Sequence, residues 1–130
     1  MKSSKVNFTI IKEDIGYSAS AKIGNFYIAT EGENYNDLKN NILEALNLTF
    51  EGKKKYTFNE ISYTLDIPSL FEFYKVINAK ALSQRISINQ SLLAQYISGK
   101  KKPSVKQRER IIKGVHDLGK ELSEVNLLLH

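Results

Sequence analysis

Leu82-Ser-Gln-Arg-Ile-Ser-Ile-Asn-Gln-Ser-Leu-Leu-Ala-Gln-Tyr-Ile-Ser-Gly-Lys-Lys-Lys-Pro-Ser104 reads as two short helices meeting at a tight turn, the second stopped by a glycine and three lysines. The spacing predicts a first helix over Ala79 to Arg85 and a second over Gln90 to Ser98, with Ser87-Ile88-Asn89 as the turn. Asn78 and Asn89 precede these helices, and an asparagine side-chain oxygen there accepts a backbone amide that the helix leaves unpaired. Leu82, Ile86, Ile88, Leu93 and Tyr96 supply a core that fixes how the two helices cross. Gly99 is expected to end the second helix in the left-handed conformation.

A helix held by one apolar side leaves its other side free for chemistry. Gln90 and Ser91 stand at the start of the second helix, where unpaired amides favour an anion, and Gln95 is expected on the same outward face. Glutamine can make two hydrogen bonds to adenine in the DNA major groove, so Gln90 is the first candidate for a base contact and Gln95 the second. Ser91 joins them, and Ala94 or Leu92 suits a thymine methyl. Asn89, Lys80, Lys100, Lys101 and Lys102 are the candidates for phosphate contact.

Charge divides along the chain in the same sense. The net charge is +5 over 130 residues, but residues 1 to 66 hold 8 Lys/Arg against 9 Asp/Glu, and residues 67 to 130 hold 11 against 5. A polyanion is therefore expected to meet the second half. The chain has no cysteine, so no disulfide framework and no thiolate metal site arises, and no long apolar run or leader is seen. A cytoplasmic protein without cofactor, metal or membrane partner is expected.

Towards the N-terminus the periodicity changes to strands. Val6, Phe8 and Ile10 alternate, then Tyr17, Ala19 and Ala21, then Phe26 and Ile28, with turn signals at Asp14-Ile-Gly16 and Gly24-Asn25, which predicts a three-stranded meander. Asn34, with Asp37 three residues on, caps a helix carrying Tyr35, Leu38, Ile42 and Leu46 to about Leu48. Tyr56, Phe58, Ile61, Tyr63 and Leu65 suggest a further strand with a slip of phase near Asn59, ended by Pro68. The fold class expected is α+β: a βββαβ domain over residues 1 to 66 and an all-α domain over 67 to 130. In the second, Ser69 and Ser104 match capping boxes, and Leu118, Leu122, Val125 and Leu129 form a last apolar seam, for about five helices. That seam either closes the helical core or forms a dimer contact.

Enzymatic chemistry has little to stand on. Glu13, Asp14, Glu31, Glu33, Asp37 and Glu44 are the carboxylates a two-metal nuclease would need, but beside turns and at a helix start they read as capping and solubility residues. His116 and His130 have no nucleophile or metal-ligand spacing near them, and Gly16, Gly24 and Gly32 read as turn residues, not a phosphate loop. No catalytic residue is expected.

Residues 79 to 118 resemble the helix-turn-helix of the Cro and phage-repressor family through Leu82, Ile86, Ile88, Asn89, Gln90, Ser91, Gly99, Lys100 to Lys102, Pro103 and Ser104. Ser87 stands where glycine is common at the turn, and Leu92 and Ile97 are apolar where polar residues are frequent. The first half is similar to the HicB antitoxins in Glu13-Asp-Ile-Gly-Tyr-Ser-Ala19, Ala29-Thr-Glu-Gly-Glu33 and Asn36-Asp-Leu-Lys-Asn-Asn-Ile-Leu-Glu-Ala-Leu46. Ile23-Gly-Asn-Phe26 replaces their Pro-Gly-Cys type segment. These resemblances imply a degenerate ribonuclease-H-like domain that blocks a HicA-type toxin, a messenger-RNA-cleaving ribonuclease, joined to a domain that represses the shared operon. The alternative is a stand-alone transcription regulator whose first domain has another partner or ligand. A homodimer or higher homo-oligomer is expected, because such units are used in pairs about 34 Å apart on double-stranded operator DNA.

Overall fold

The computed structural model describes residues 5 to 129. The elements run β1 (Val6–Lys12), β2 (Tyr17–Ile23), β3 (Phe26–Gly32), α1 (Tyr35–Thr49), a single 3-10 turn (Phe58–Glu60), β4 (Ile61–Leu65), α2 (Ile67–Phe73), α3 (Ala79–Arg85), α4 (Gln90–Ile97) and α5 (Val105–Ser123). The α+β class and the βββαβ order of the first half are as expected. Two compact units divide between Phe73 and Tyr74.

In the first unit the strands form one sheet in the order β3-β2-β1-β4, with β1–β2 and β2–β3 antiparallel and β1–β4 parallel. The register sets Ile10 opposite both Ala19 and Leu65, and Ala21 opposite Ile28, so one face collects the apolar residues. Phe8, Ile10, Leu38, Ile42 and Leu46 are all fully buried there, as the three-and-four spacing on α1 requires. Ala19 and Ala21 keep the middle of the sheet low enough for the helix to approach. On the other face Asn7 donates to the Ser62 hydroxyl at 2.9 Å and accepts from that of Thr64 at 2.8 Å, and Ile11 and Tyr27 stand exposed.

Several expectations need correction. Tyr56 and Phe58 are not in the last strand: the phase slip is the 3-10 turn, whose capping box is made by Thr57 and Glu60. Asn47 holds Tyr56 in place, accepting its amide at 2.6 Å. Ser69 is not the cap of α2 either, because Asp66 accepts the Ser69 amide at 2.8 Å and starts the helix three residues earlier. That leaves the Ser69 side chain fully buried within the helix.

The unit boundary accordingly falls after Phe73 and not after residue 66. Phe73 stacks on Tyr35 at 4.3 Å between ring centres and meets Tyr17 edge-on at 4.4 Å, while Glu72 pairs with Lys12. Aromatic pairs in these arrangements add about 0.5–1.5 kcal/mol beyond the area they bury, so α2 is held by the sheet unit.

The second unit contains α3, α4 and α5, and the number of helices from Ile67 onward is four among the described residues, not about five. The Ser104 helix and the last apolar segment are one element, which ends at Ser123, so Val125 and Leu129 are not helical. Leu82, Ile88, Leu93, Tyr96 and Ile111 form the core. Gly114 lets α5 approach α3: a methyl there would lie 2.3 Å from Ile86 Cγ2.

Two stability measurements check this packing. Gly114→Ala should lower the unfolding free energy by about 1 kcal/mol, since overpacking by one methyl outweighs the gain in helix propensity. Gly119→Ala, with nothing within 4 Å of the added carbon, should raise it by up to about 1 kcal/mol.

Burial, then a hydrogen bond to Glu72, pushes the Tyr17 phenol up to about 12 from 10.0. The folded chain therefore holds this proton after the unfolded chain has begun to release it. Its stabilisation is whole below pH 10 and is lost as pH rises towards 12, by up to about 3 kcal/mol. Denaturant titrations across that range should show a shallower fall for Tyr17→Phe than for the native chain.

Candidate nucleic-acid interface

The turn between α3 and α4 is built by residues that have given up their own freedom. Asn78 accepts the Ala81 amide at 2.9 Å to start α3, and Asn89 accepts those of Ser91 at 2.8 Å and Leu92 at 3.3 Å to start α4. Between them Ser87 has a φ of 57°, the only positive value at a non-glycine among the described residues. The position where glycine is common in the resembled family thus takes the conformation glycine favours, with a serine in place. Ile88 follows, 5% exposed, and anchors the turn in the core.

α4 leaves that turn with Leu93 and Tyr96 inward, 1% and 5% exposed, and with Gln90, Ser91 and Ala94 open to solvent. Gln95 departs from the expected face. At about 100° per residue it lies roughly 140° around the helix from Gln90, and it is half-buried, as are Leu92 and Ile97. The Gln95 carbonyl closes the helix end, accepting from Ser98 Oγ at 3.1 Å and from the Lys101 amide at 3.2 Å.

Gly99 takes φ 79°, as expected, and turns the chain into the exposed run Lys100 to Lys102. The Lys100 amide reaches Ser98 Oγ at 3.4 Å, so this basic loop has a defined backbone course. Lys80 is exposed in the first turn of α3. The Asn89 side-chain oxygen is committed to its cap, which leaves only its Nδ2 group for a phosphate.

Three further cations escaped the reading of the sequence. Ser104 caps α5 through the Gln107 amide at 3.2 Å, and Lys106, Arg108 and Arg110 are exposed in its first two turns, with no acidic residue in the first. Positive charge at the positive end of a helix is unfavourable without a counter-charge, and that mismatch was the available signal. From residue 100 to 110 six cations face one carboxylate, Glu109. Elsewhere on this unit two cations are paired, Arg85 with Glu121 and Lys113 with Asp117, whose carboxyl the Lys113 hydrogen bond holds below its usual range.

Two of the candidate carboxylates of the first unit are occupied locally. Glu13 accepts from the Ser18 hydroxyl at 2.8 Å and Asp37 from Asn34 at 3.2 Å. Among the described residues no three His, Cys, Asp or Glu side chains are grouped to hold a metal ion. Gly16 and Gly24 sit at the hairpin turns with positive φ, and Gly32 ends β3. His116 is exposed on α5; His130 lies outside the described residues. No helix among the described residues is long and apolar enough to cross a membrane. No family model, curated protein or solved structure matches this chain.

The strain at the turn is measurable. Ser87→Gly should raise the unfolding free energy by up to about 1 kcal/mol, the relief of left-handed backbone less the extra entropy of glycine in the unfolded chain. Ser87→Val should lower it by about 1–2 kcal/mol, because a β-branched side chain resists that conformation. Equal stability in all three chains would contradict the strained turn.

Proposed function

We propose that this chain is the antitoxin of a HicA/HicB-like pair: its second unit represses its own operon by a helix-turn-helix, and its first unit, degenerate ribonuclease-H-like, neutralises a small ribonuclease toxin. The observation that carries the DNA half is the solvent-facing row Gln90, Ser91 and Ala94, set beside the exposed Lys100 to Lys102. The toxin half is supported by the resemblance of residues 13 to 46 and by a βββαβ unit whose β3 and β4 are sheet edges, where a protein partner can add hydrogen bonds. The protein acts by occupancy, in the cytoplasm, and carries out no chemistry of its own.

On DNA the lysines, with Lys80 and Asn89, hold phosphates and supply the salt-dependent, sequence-independent part of affinity. Gln90 then pairs with an adenine edge, Ser91 with a neighbouring base, and Ala94 lies against a thymine methyl. The half-buried Gln95 takes a lesser share than Gln90. Lys106, Arg108 and Arg110 extend the phosphate contact.

A stand-alone regulator is the second reading. It is favoured by the hairpin Ile23–Phe26, whose residues pair directly across a Gly24-Asn25 turn where the resembled antitoxins carry a Pro-Gly-Cys type segment. Co-expression with the small reading frames beside its gene separates the two. The antitoxin reading predicts a basic ribonuclease that co-purifies with this chain and whose toxicity the chain relieves. Operator binding with no such partner would leave the regulator.

Binding titrations test the contacts. Gln90→Ala should cost about 1–3 kcal/mol per half-site and remove the preference at one base pair. An equal loss on every sequence would contradict base reading. Lys100→Ala with Lys102→Ala should weaken binding to all sequences and reduce the slope of affinity against salt by about one unit for each phosphate no longer neutralised.

A further inference from the structure

The loop that returns from α1 has no part in either half of the proposed function. Phe50-Glu-Gly-Lys-Lys-Lys-Tyr-Thr-Phe58 sets three consecutive lysines between aromatic residues, in a half of the chain where carboxylates outnumber cations. Its backbone is held in one course. The Lys53 and Lys54 amides donate to the Phe50 carbonyl at 3.0 and 3.1 Å, and Gly52 turns the chain with φ 81°. Asn47 binds Tyr56 twice, accepting from its amide at 2.6 Å and donating to its carbonyl at 3.2 Å.

The three lysines are not equivalent. Lys54 is engaged within the fold, paired with Glu60 at 2.9 Å and 4.6 Å from the centre of the Tyr56 ring. Lys53 and Lys55 are exposed and have no carboxylate partner among the described residues. A line of rings leads away from them: Tyr56 is 5.7 Å from Phe50, and Phe50 is 5.2 Å from Phe26, which is 45% exposed beside the β2–β3 turn. Lys53 to Lys55 also line a depression of about 670 Å³, together with Glu44 and Glu51.

We propose that this corner of the first unit binds a single strand of nucleic acid, with phosphates on Lys53 and Lys55 and an unstacked base on the Phe26 ring. Free cations beside an exposed ring suit a phosphate chain that carries flat bases, and a duplex keeps its base faces stacked on one another. Glu44 and Glu51 repel a plain polyanion such as an acidic peptide. Adenine, cytosine and guanine instead bring amino groups, from which a carboxylate accepts. The site uses none of the residues assigned to operator DNA and does not rest on the antitoxin reading.

Fluorescence anisotropy with a labelled single strand of about ten nucleotides tests it. The full chain carries Lys100→Ala and Lys102→Ala throughout, which reduces binding by the basic loop of the second unit. In that background Phe26→Leu, which keeps an apolar contact with Phe50 but removes the ring, should weaken binding about 5-fold or more, and Phe26→Tyr should retain it. Lys53→Ala with Lys55→Ala should lower the slope of affinity against salt by about 1.4, two phosphates of a single strand. Both lysines are exposed, so this variant keeps the fold and decides the matter even if Phe26→Leu unfolds. RNA and DNA strands of one sequence are compared, and tighter binding by either identifies the sugar. No binding by either strand overturns the proposal, as does an affinity and salt slope that the lysine substitutions leave unchanged. Displacement by polyglutamate as effective as by unlabelled strand of equal charge also overturns it, because the patch would then hold an acidic protein.

Discussion

The φ of 57° at Ser87 decides which side of α4 meets solvent. A left-handed residue between two right-handed helices breaks the chain's direction sharply, and Ile88, buried immediately after it, fixes the break in the core. Asn89 then satisfies two amides of the new helix at once. With the start of α4 set in this way, Leu93 and Tyr96 must face inward, and Gln90, Ser91 and Ala94 are left outside. The polar row proposed to read bases is thus a consequence of backbone geometry three residues upstream.

The first unit depends on a different constraint, the one-sided burial of its sheet. Phe8 and Ile10 on β1 meet Leu38, Ile42 and Leu46 on α1 with no exposure, and the reverse face carries Asn7, Thr9, Ser62 and Thr64 together with the exposed Ile11 and Tyr27. α2 belongs to this unit because Phe73 lies between two tyrosines and Glu72 faces both the Tyr17 hydroxyl and Lys12. A sheet with one bare face and two free edges suits a unit that acts by holding another protein.

Where the pattern in the sequence is local, it was legible. α3 and α4 begin at the residues expected from Asn78 and Asn89, the α1 stripe is the buried one, and the three strands of the meander pair as their alternation implies. What was not legible depended on competition between local signals or on distant partners. Asp66 and Ser69 are both good caps three residues apart, and Asp66 prevails. Phe73 looks like any helix residue until Tyr17 and Tyr35 are brought beside it. Gln95 was misplaced by treating five residues as one face, when the helical repeat turns that step well away from Gln90. Leu118 to Leu129 keeps a seam's spacing, yet the helix stops inside it.

Charge joins the two levels of the account. The exposed row on α4 carries no charge itself, so in the proposed reading its polyanionic partner is held by Lys80, by Lys100 to Lys102 and by the cations at the start of α5. The most direct test is an NMR titration of the isotope-labelled full chain with promoter DNA from its own operon. The account predicts saturable shifts concentrated at Gln90, Ser91 and Ala94 and at Lys100 to Lys102, with the strands of the first unit unmoved. Shifts absent from α4 while the strands respond, or no saturable shift at all, would contradict it.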